Sequence, residues 1–274
     1  MNQTFSLSRF GRLVRTYLSD NRGVLLVNFL LLSGILAVFS LIFYRSYPDD
    51  VDRSRYFVHF LIGWAAWFVF TGQQVAALNE KEQAITYLLR PASLLEKYLL
   101  IFLISGIGFL VVYLLLFTLV DALGVSYVNH RDWTPGQLQQ IRLMGGQLHI
   151  KPFYVSETIS HMPKAVWVFS ALLHPITLAF TLLIRRFTLP LVAVVIITLA
   201  VVGMIGNDLF VNGLFGGVEV RGLPFSDSSV IRNNNYRQIE LPQPLGNQIR
   251  YTVEIIVVVL LYITAYFSIK EREV

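Results

Sequence analysis

The feature that most constrains this chain is the stretch VLLVNFLLLSGILAVFSLIFY (24–44), which holds no charged side chain. A helix crosses the hydrocarbon of a bilayer with about 20 apolar residues. Backbone in lipid has to satisfy its own hydrogen bonds, so a run of this kind is a membrane-spanning helix. Further runs follow at about 56–78, 98–120 (YLLIFLISGIGFLVVYLLLFTLV), 165–184, 187–210 and 251–269. Composition agrees: 55% of residues are hydrophobic, 14% are charged and the mean hydropathy is +0.59. That apolar share exceeds the usual one for a soluble domain. The expected fold is an all-α polytopic membrane protein, one domain over residues 1–274, with six spans and two long connections at 121–164 and 211–250.

The placement of basic residues orients the spans. With the N-terminus inside, the inner segments hold 11 of the 22 Lys and Arg residues in about 49 positions, and the outer segments hold the other 11 in about twice that length. Both termini are therefore expected on the inner face and both long connections on the outer. The first span is followed by Arg45, Ser46, Tyr47 and Pro48 rather than by a small-residue cleavage site, so it is expected to be an anchor. In a membrane protein the net charge of +5 speaks for topology, and no nucleic-acid partner is expected. The chain has no cysteine, which excludes disulfides, thiolate metal sites and a cysteine nucleophile.

Two inner segments carry helix signals. Over residues 5–19, Leu7, Phe10, Leu13, Val14, Tyr17 and Leu18 share one helical arc, while Arg9, Arg12 and Arg15 share the opposite one. This is an amphipathic basic helix suited to the interface and to anionic headgroups. Residues 79–99 read NEKEQAITYLLRPASLLEKYL. Asn79 and Glu82 fit a capping box, and so do Ser93 and Glu96. Pro91 stops the first helix, because the residue before proline avoids helical angles. The result is an ordered elbow over 79–92. Its polar strip is Glu82, Gln83, Thr86 and Arg90, and its apolar arc is Ala84, Ile85, Tyr87, Leu88 and Leu89. The apolar arc suits packing on the bundle, and the charged strip with the Asn79–Glu82 end suits a docked protein.

These segments, FGRLVRTYL (10–18) and FTGQQVAALNEKEQAITYLLRPASLLEKYL (70–99), resemble the type-2 permeases of ATP-binding-cassette (ABC) transporters. YLLRPASLLEKYL is similar to a recurring pattern of that group, with a departure at Arg90, where the pattern often has an apolar residue. The resemblance implies an interfacial helix, six spans and a coupling helix between the second and third. It also implies a second permease chain, identical or homologous, and a cytosolic ABC ATPase subunit that holds ATP and Mg. Residues implied in docking are Asn79, Glu80, Lys81, Glu82, Gln83, Thr86 and Arg90. The implied setting is a bacterial inner membrane and the implied direction is export. The region after the fifth span forms short outer helices in that family, although its Gly and Val content (VNGLFGGVEVRGLPF) equally allows strands.

Other chemistry finds little support. A Walker A loop needs a Gly-Lys pair to hold phosphates, and the five lysines follow Glu80, Glu96, Ile150, Pro163 and Ile269. No HExxH or GxSxG motif occurs. His130, His149 and His161 match no standard metal spacing. A secondary transporter carries ionisable groups within its spans. Here His174, followed by Pro175, and Glu254 are the pathway candidates, each also readable as a structural pairing group. A six-span secondary transporter or membrane assembly factor without an ATPase is the alternative. Ser105-Gly106-x-Gly108 and Gly203-x-x-Gly206 read as close-packing sites.

Overall fold

The computed structural model describes residues 4–79, 87, 91–143, 146–156, 159, 162–184, 187–214, 219–221, 228–232, 235–239 and 245–272. Helices dominate it. Among the described residues, five helical segments are long and apolar enough to cross a membrane: Arg22–Phe43, Leu94–Asn129, Lys164–Leu183, Thr188–Leu214 and Tyr251–Lys270. The chain is a helical polytopic membrane protein. Two compact units divide it, Met1–Phe70 with Ala92–Met162, and Thr71–Pro91 with Pro163–Val274.

The first unit begins with α1 (Leu7–Asp20) and α2 (Arg22–Phe43). The expected second span lies in a continuous helical run made of α3 (Pro48–Phe57), a π-helical turn (Val58–Ile62), α4 (Gly63–Ala76) and a 3-10 turn (Ala77–Asn79). Arg55, His59, Gln73 and Gln74 make this run less apolar than the other five. Next comes α5 (Leu94–Ile101), a π-helical stretch (Phe102–Gly108) and α6 (Phe109–Asn129). Together they form one helix of 36 residues, so helix continues well past the expected end at Val120. The short α7 (Pro135–Leu143) and a 3-10 turn at Phe153–Val155 follow.

The length of α6 has a cause in its buried face. Phe109, Tyr113, Phe117, Asp121 and Val125 are all buried at intervals of four residues, the spacing that stacks side chains on one helix face. The rings of Trp67, Phe109, Tyr113 and Phe117 line up in successive stacked pairs. The polar member, Asp121, accepts from Tyr44 Oη at 2.5 Å and from the Phe153 amide at 2.8 Å. Arg55, 1% exposed, faces the same carboxylate at 3.4 Å, donates to Lys151 O at 2.7 Å and pairs with Asp52. This buried cluster fastens residues 151–153 onto the helices.

The two π-helical stretches are joined by aromatic donors. Bonding from i to i+5 leaves carbonyls at the junctions short of a helical partner, and a bilayer offers no water to supply one. Tyr113 Oη donates to His59 O at 2.5 Å, and Trp67 Nε1 donates to Ser105 O at 2.8 Å. Each helix thus satisfies a carbonyl in the widened turn of the other. The Ser105–Gly108 stretch, read from sequence as a close-packing site, lies within one of these turns.

In the second unit, α8 (Lys164–Leu183) packs on α10 (Leu245–Lys270) and α9 (Thr188–Leu214). Between α9 and α10 the chain forms β1 (Glu219–Arg221), β2 (Ser228–Arg232) and β3 (Asn235–Ile239), an antiparallel meander in the order β1-β2-β3. Val220 stands opposite Val230, and Val230 opposite Arg237. Of the two conformations open to this region, strands are the one formed over these residues.

Candidate functional site

The candidate docking segment is residues 79–92, and its two described flanks belong to different compact units. Glu80, Lys81, Glu82, Gln83, Thr86 and Arg90 lie outside the described residues, so the structure bears on the elbow through its ends.

At the far end, Ser93 caps α5. Its Oγ accepts from the Glu96 amide at 3.3 Å, and Glu96 Oε2 accepts from the Ser93 amide at 2.9 Å. This is the capping box read from the sequence. Glu96 has a second use. Its side chain is fully buried, and Arg9 grips it with both arms, Nε to Oε2 at 2.7 Å and Nη2 to Oε1 at 2.7 Å. The Ser6 amide adds a bond to Oε1 at 2.7 Å. One carboxylate therefore ties the entry of α1 to the first turn of α5 through four donors. A forked guanidinium suits that carboxylate geometry. The hydrogen bond to Glu96 raises the Arg9 guanidinium above its ordinary value, so it carries its charge throughout the usable pH range.

Along the rest of α1 both apolar and basic side chains stand exposed. Leu13 is buried, Leu7 and Leu18 remain exposed, and Arg12 and Arg15 are exposed as well. Of the three arginines expected to face headgroups, Arg9 is bound to Glu96.

At the near end, Asn79 is the last residue of the 3-10 turn at Ala77–Asn79. Its expected capping partner, Glu82, lies outside the described residues. Its Nδ2 points toward Thr181 O at 3.2 Å, Thr188 Oγ1 at 3.2 Å and Ile184 O at 3.4 Å, and its Oδ1 has no partner among the described residues. The reason lies at the end of α8. That helix ends at Leu183, where its last carbonyls lack helical partners, and the Asn79 amide supplies a donor to them at a part-buried site. Arg272, just beyond α10, donates Nη1 to Leu78 O at 2.8 Å and Nη2 to Leu182 O.

The pathway candidates part company. His174 is 1% exposed within α8 and its Nδ1 lies 2.9 Å from Tyr262 Oη on α10, so it serves a helix–helix contact inside the second unit. Glu254 is half-buried on α10. Sequence reasoning missed three residues, Ser6, Arg272 and Asp121. Only Asp121 left a signal, its place four residues beyond Phe117 on an apolar stripe. No group of three or more His, Cys, Asp or Glu able to hold a metal occurs among the described residues. The chain matches no family model, no curated protein and no solved structure.

Proposed function

We propose that this chain is the membrane-spanning permease subunit of an ABC transporter. It works as a pair of permeases, identical or homologous, with cytosolic ATPase chains that hold ATP and Mg. It moves substrate outward across a bacterial inner membrane. The Pro48–Asn79 run serves as the second of six spans, and an even number returns both termini to the cytoplasmic face. That agrees with the Lys and Arg density of the inner segments.

The observation that carries this reading is the fastening of the elbow. Asn79 and Arg272 hold the backbone at residues 78–79, and the Ser93–Glu96 box with Arg9 holds it at 93–96. A slack connection needs neither. A segment that receives force from a partner and passes it to the spans needs both ends fixed, since a loose end would absorb the displacement. The charged residues Glu80, Lys81 and Glu82 then form the docking surface, and ATP-driven closure of the partner rocks the helices around the pathway.

The test is co-purification from mild detergent. The expected result is capture of a cytosolic ATPase of about the size usual for such subunits, with ATPase activity appearing only in the complex. Glu80→Lys with Glu82→Lys is expected to weaken capture while insertion stays normal. Purification of the chain alone with full, proton-gradient-driven transport would overturn the reading.

A further inference from the structure

We propose that Arg272 is a positioning residue for the elbow: its guanidinium clamps the backbone from which residues 79–92 depart. The turn after α10 is closed by the Glu271 amide on Phe267 O at 2.9 Å and the Arg272 amide on Ile269 O at 3.1 Å. This brings the Arg272 side chain onto two carbonyls from distant parts of the chain. Leu78 O, at 2.8 Å from Nη1, belongs to the last turn of the run that ends at Asn79. Leu182 O, met by Nη2, belongs to the last turn of α8. Carbonyls in a last helical turn lack intrahelical donors and carry the negative end of the helix dipole, which favours a cation. Two helix ends therefore share one half-buried guanidinium. The planar fork of arginine can serve both at once, whereas an ammonium is a single point charge.

Asn79 extends the same seam. Its Nδ2 reaches Thr181 O and Thr188 Oγ1, so carbonyls 78, 181 and 182 are all satisfied by two side chains. Leu78 is itself buried at 6% exposure. The first residue of the elbow is thus fixed to the ends of α8 and α10 by side-chain bonds, in addition to the helix that leads into it. The role of this clamp in coupling rests on the reading of residues 79–92 as an ATPase-docking element, while the clamp itself does not.

The experiment separates the two. The chain has no native cysteine, so a nitroxide on Tyr87→Cys, a described helical position, reports the elbow, and one on the exposed Val194→Cys of α9 reports general loosening. Both are read in the full chain in lipid nanodiscs without any ATPase. Arg272→Gln is expected to shorten the rotational correlation time at position 87 at least twofold and to leave position 194 unchanged. Arg272→Lys is expected to fall between wild type and Arg272→Gln, since lysine engages one carbonyl at a time. An unchanged spectrum at 87, or equal loosening at 87 and 194, overturns the clamp. In the ATPase pull-down, Arg272→Gln is expected to lower capture severalfold, and unchanged capture overturns its role in positioning. Capture failing already with the wild-type chain overturns the docking reading and leaves the nitroxide result standing.

Discussion

Gly63→Ala and Tyr113→Phe strike one hydrogen bond from two sides, and their combination tests how the helices of the first unit are joined. Tyr113 Oη donates to His59 O at 2.5 Å. A Cβ added at Gly63 would stand 2.8 Å from both Cζ and Oη of that ring, well inside the ~3.5–4.0 Å of an ordinary carbon contact. The ring has little room to retreat, because Phe109 and Phe117 stack on it at 5.9 and 6.2 Å. Tyr113→Phe removes the hydroxyl and keeps the ring, leaving the carbonyl of the widened turn without its donor. An unsatisfied buried group costs roughly 1–3 kcal/mol in general, and interhelical hydrogen bonds in membranes fall toward the low end, so the expected loss is about 1 kcal/mol. Gly63→Ala loses the same bond and adds an overpacking cost of about 1–3 kcal/mol, for about 2–4 kcal/mol in all. In the double variant the bond is lost once and the ring still clashes. Its cost is therefore expected to be about 1 kcal/mol less than the sum of the singles. Reversible unfolding in mixed micelles measures all three. Additivity to within about 0.3 kcal/mol, with Tyr113→Phe neutral, would refute the claim that this donor supports the π-helical turn.

A Cβ at Gly124 would overlap Cδ1, Cε1 and Cζ of Tyr44, a ring held in place by Asp121; Gly124→Ala is expected to cost about 1–3 kcal/mol in the same assay. Gly72→Ala serves as its contrast, since the nearest atom is the mobile Cδ2 of Leu189 and the expected change is within about 0.5 kcal/mol. Asp121→Ala strips the acceptor from Tyr44, Phe153 and Arg55. It is expected to cost about 3–5 kcal/mol, the range for breaking a buried charge pair, and to open residues 150–156 to protease. Arg9→Glu is expected to release α1, raising the mobility of a nitroxide on Ser8→Cys, and Arg9→Glu with Glu96→Arg to restore much of the order. Equal mobility in wild type and Arg9→Glu would count against the tie.

Five apolar helices were readable because hydropathy is a local property of consecutive residues. Their ends were less so. Residues 121–129 (DALGVSYVN) look like the start of a connection, because Asp121 interrupts the apolar run. In the fold that carboxylate lies on the buried stripe and meets Tyr44, Phe153 and Arg55, whose sequence distances from it are 77, 32 and 66. No local pattern announces such partners. The capping box at Ser93–Glu96 was legible because both of its bonds lie within three residues. The grip of Arg9 on the same Glu96 spans 87 residues and was hidden behind an ordinary basic helix face.

Asn79 has a use that no local pattern announces. Asn-x-x-Glu is a sound cap pattern, and its Glu82 lies outside the described residues. The Asn79 amide reaches carbonyls at the end of α8, about 100 residues away, at a part-buried site. Its oxygen is left without a described partner. Arg272 follows the same logic. By sequence it belongs to the basic inner flank of the last span, where any lysine or arginine satisfies the topology rule. Its two carbonyl contacts demand a fork, and the positive-inside rule is blind to that difference. Arg272→Lys is therefore the substitution that separates the two roles. It keeps the topological charge and loses one arm of the clamp, so insertion is expected to be unchanged while the start of the elbow loosens.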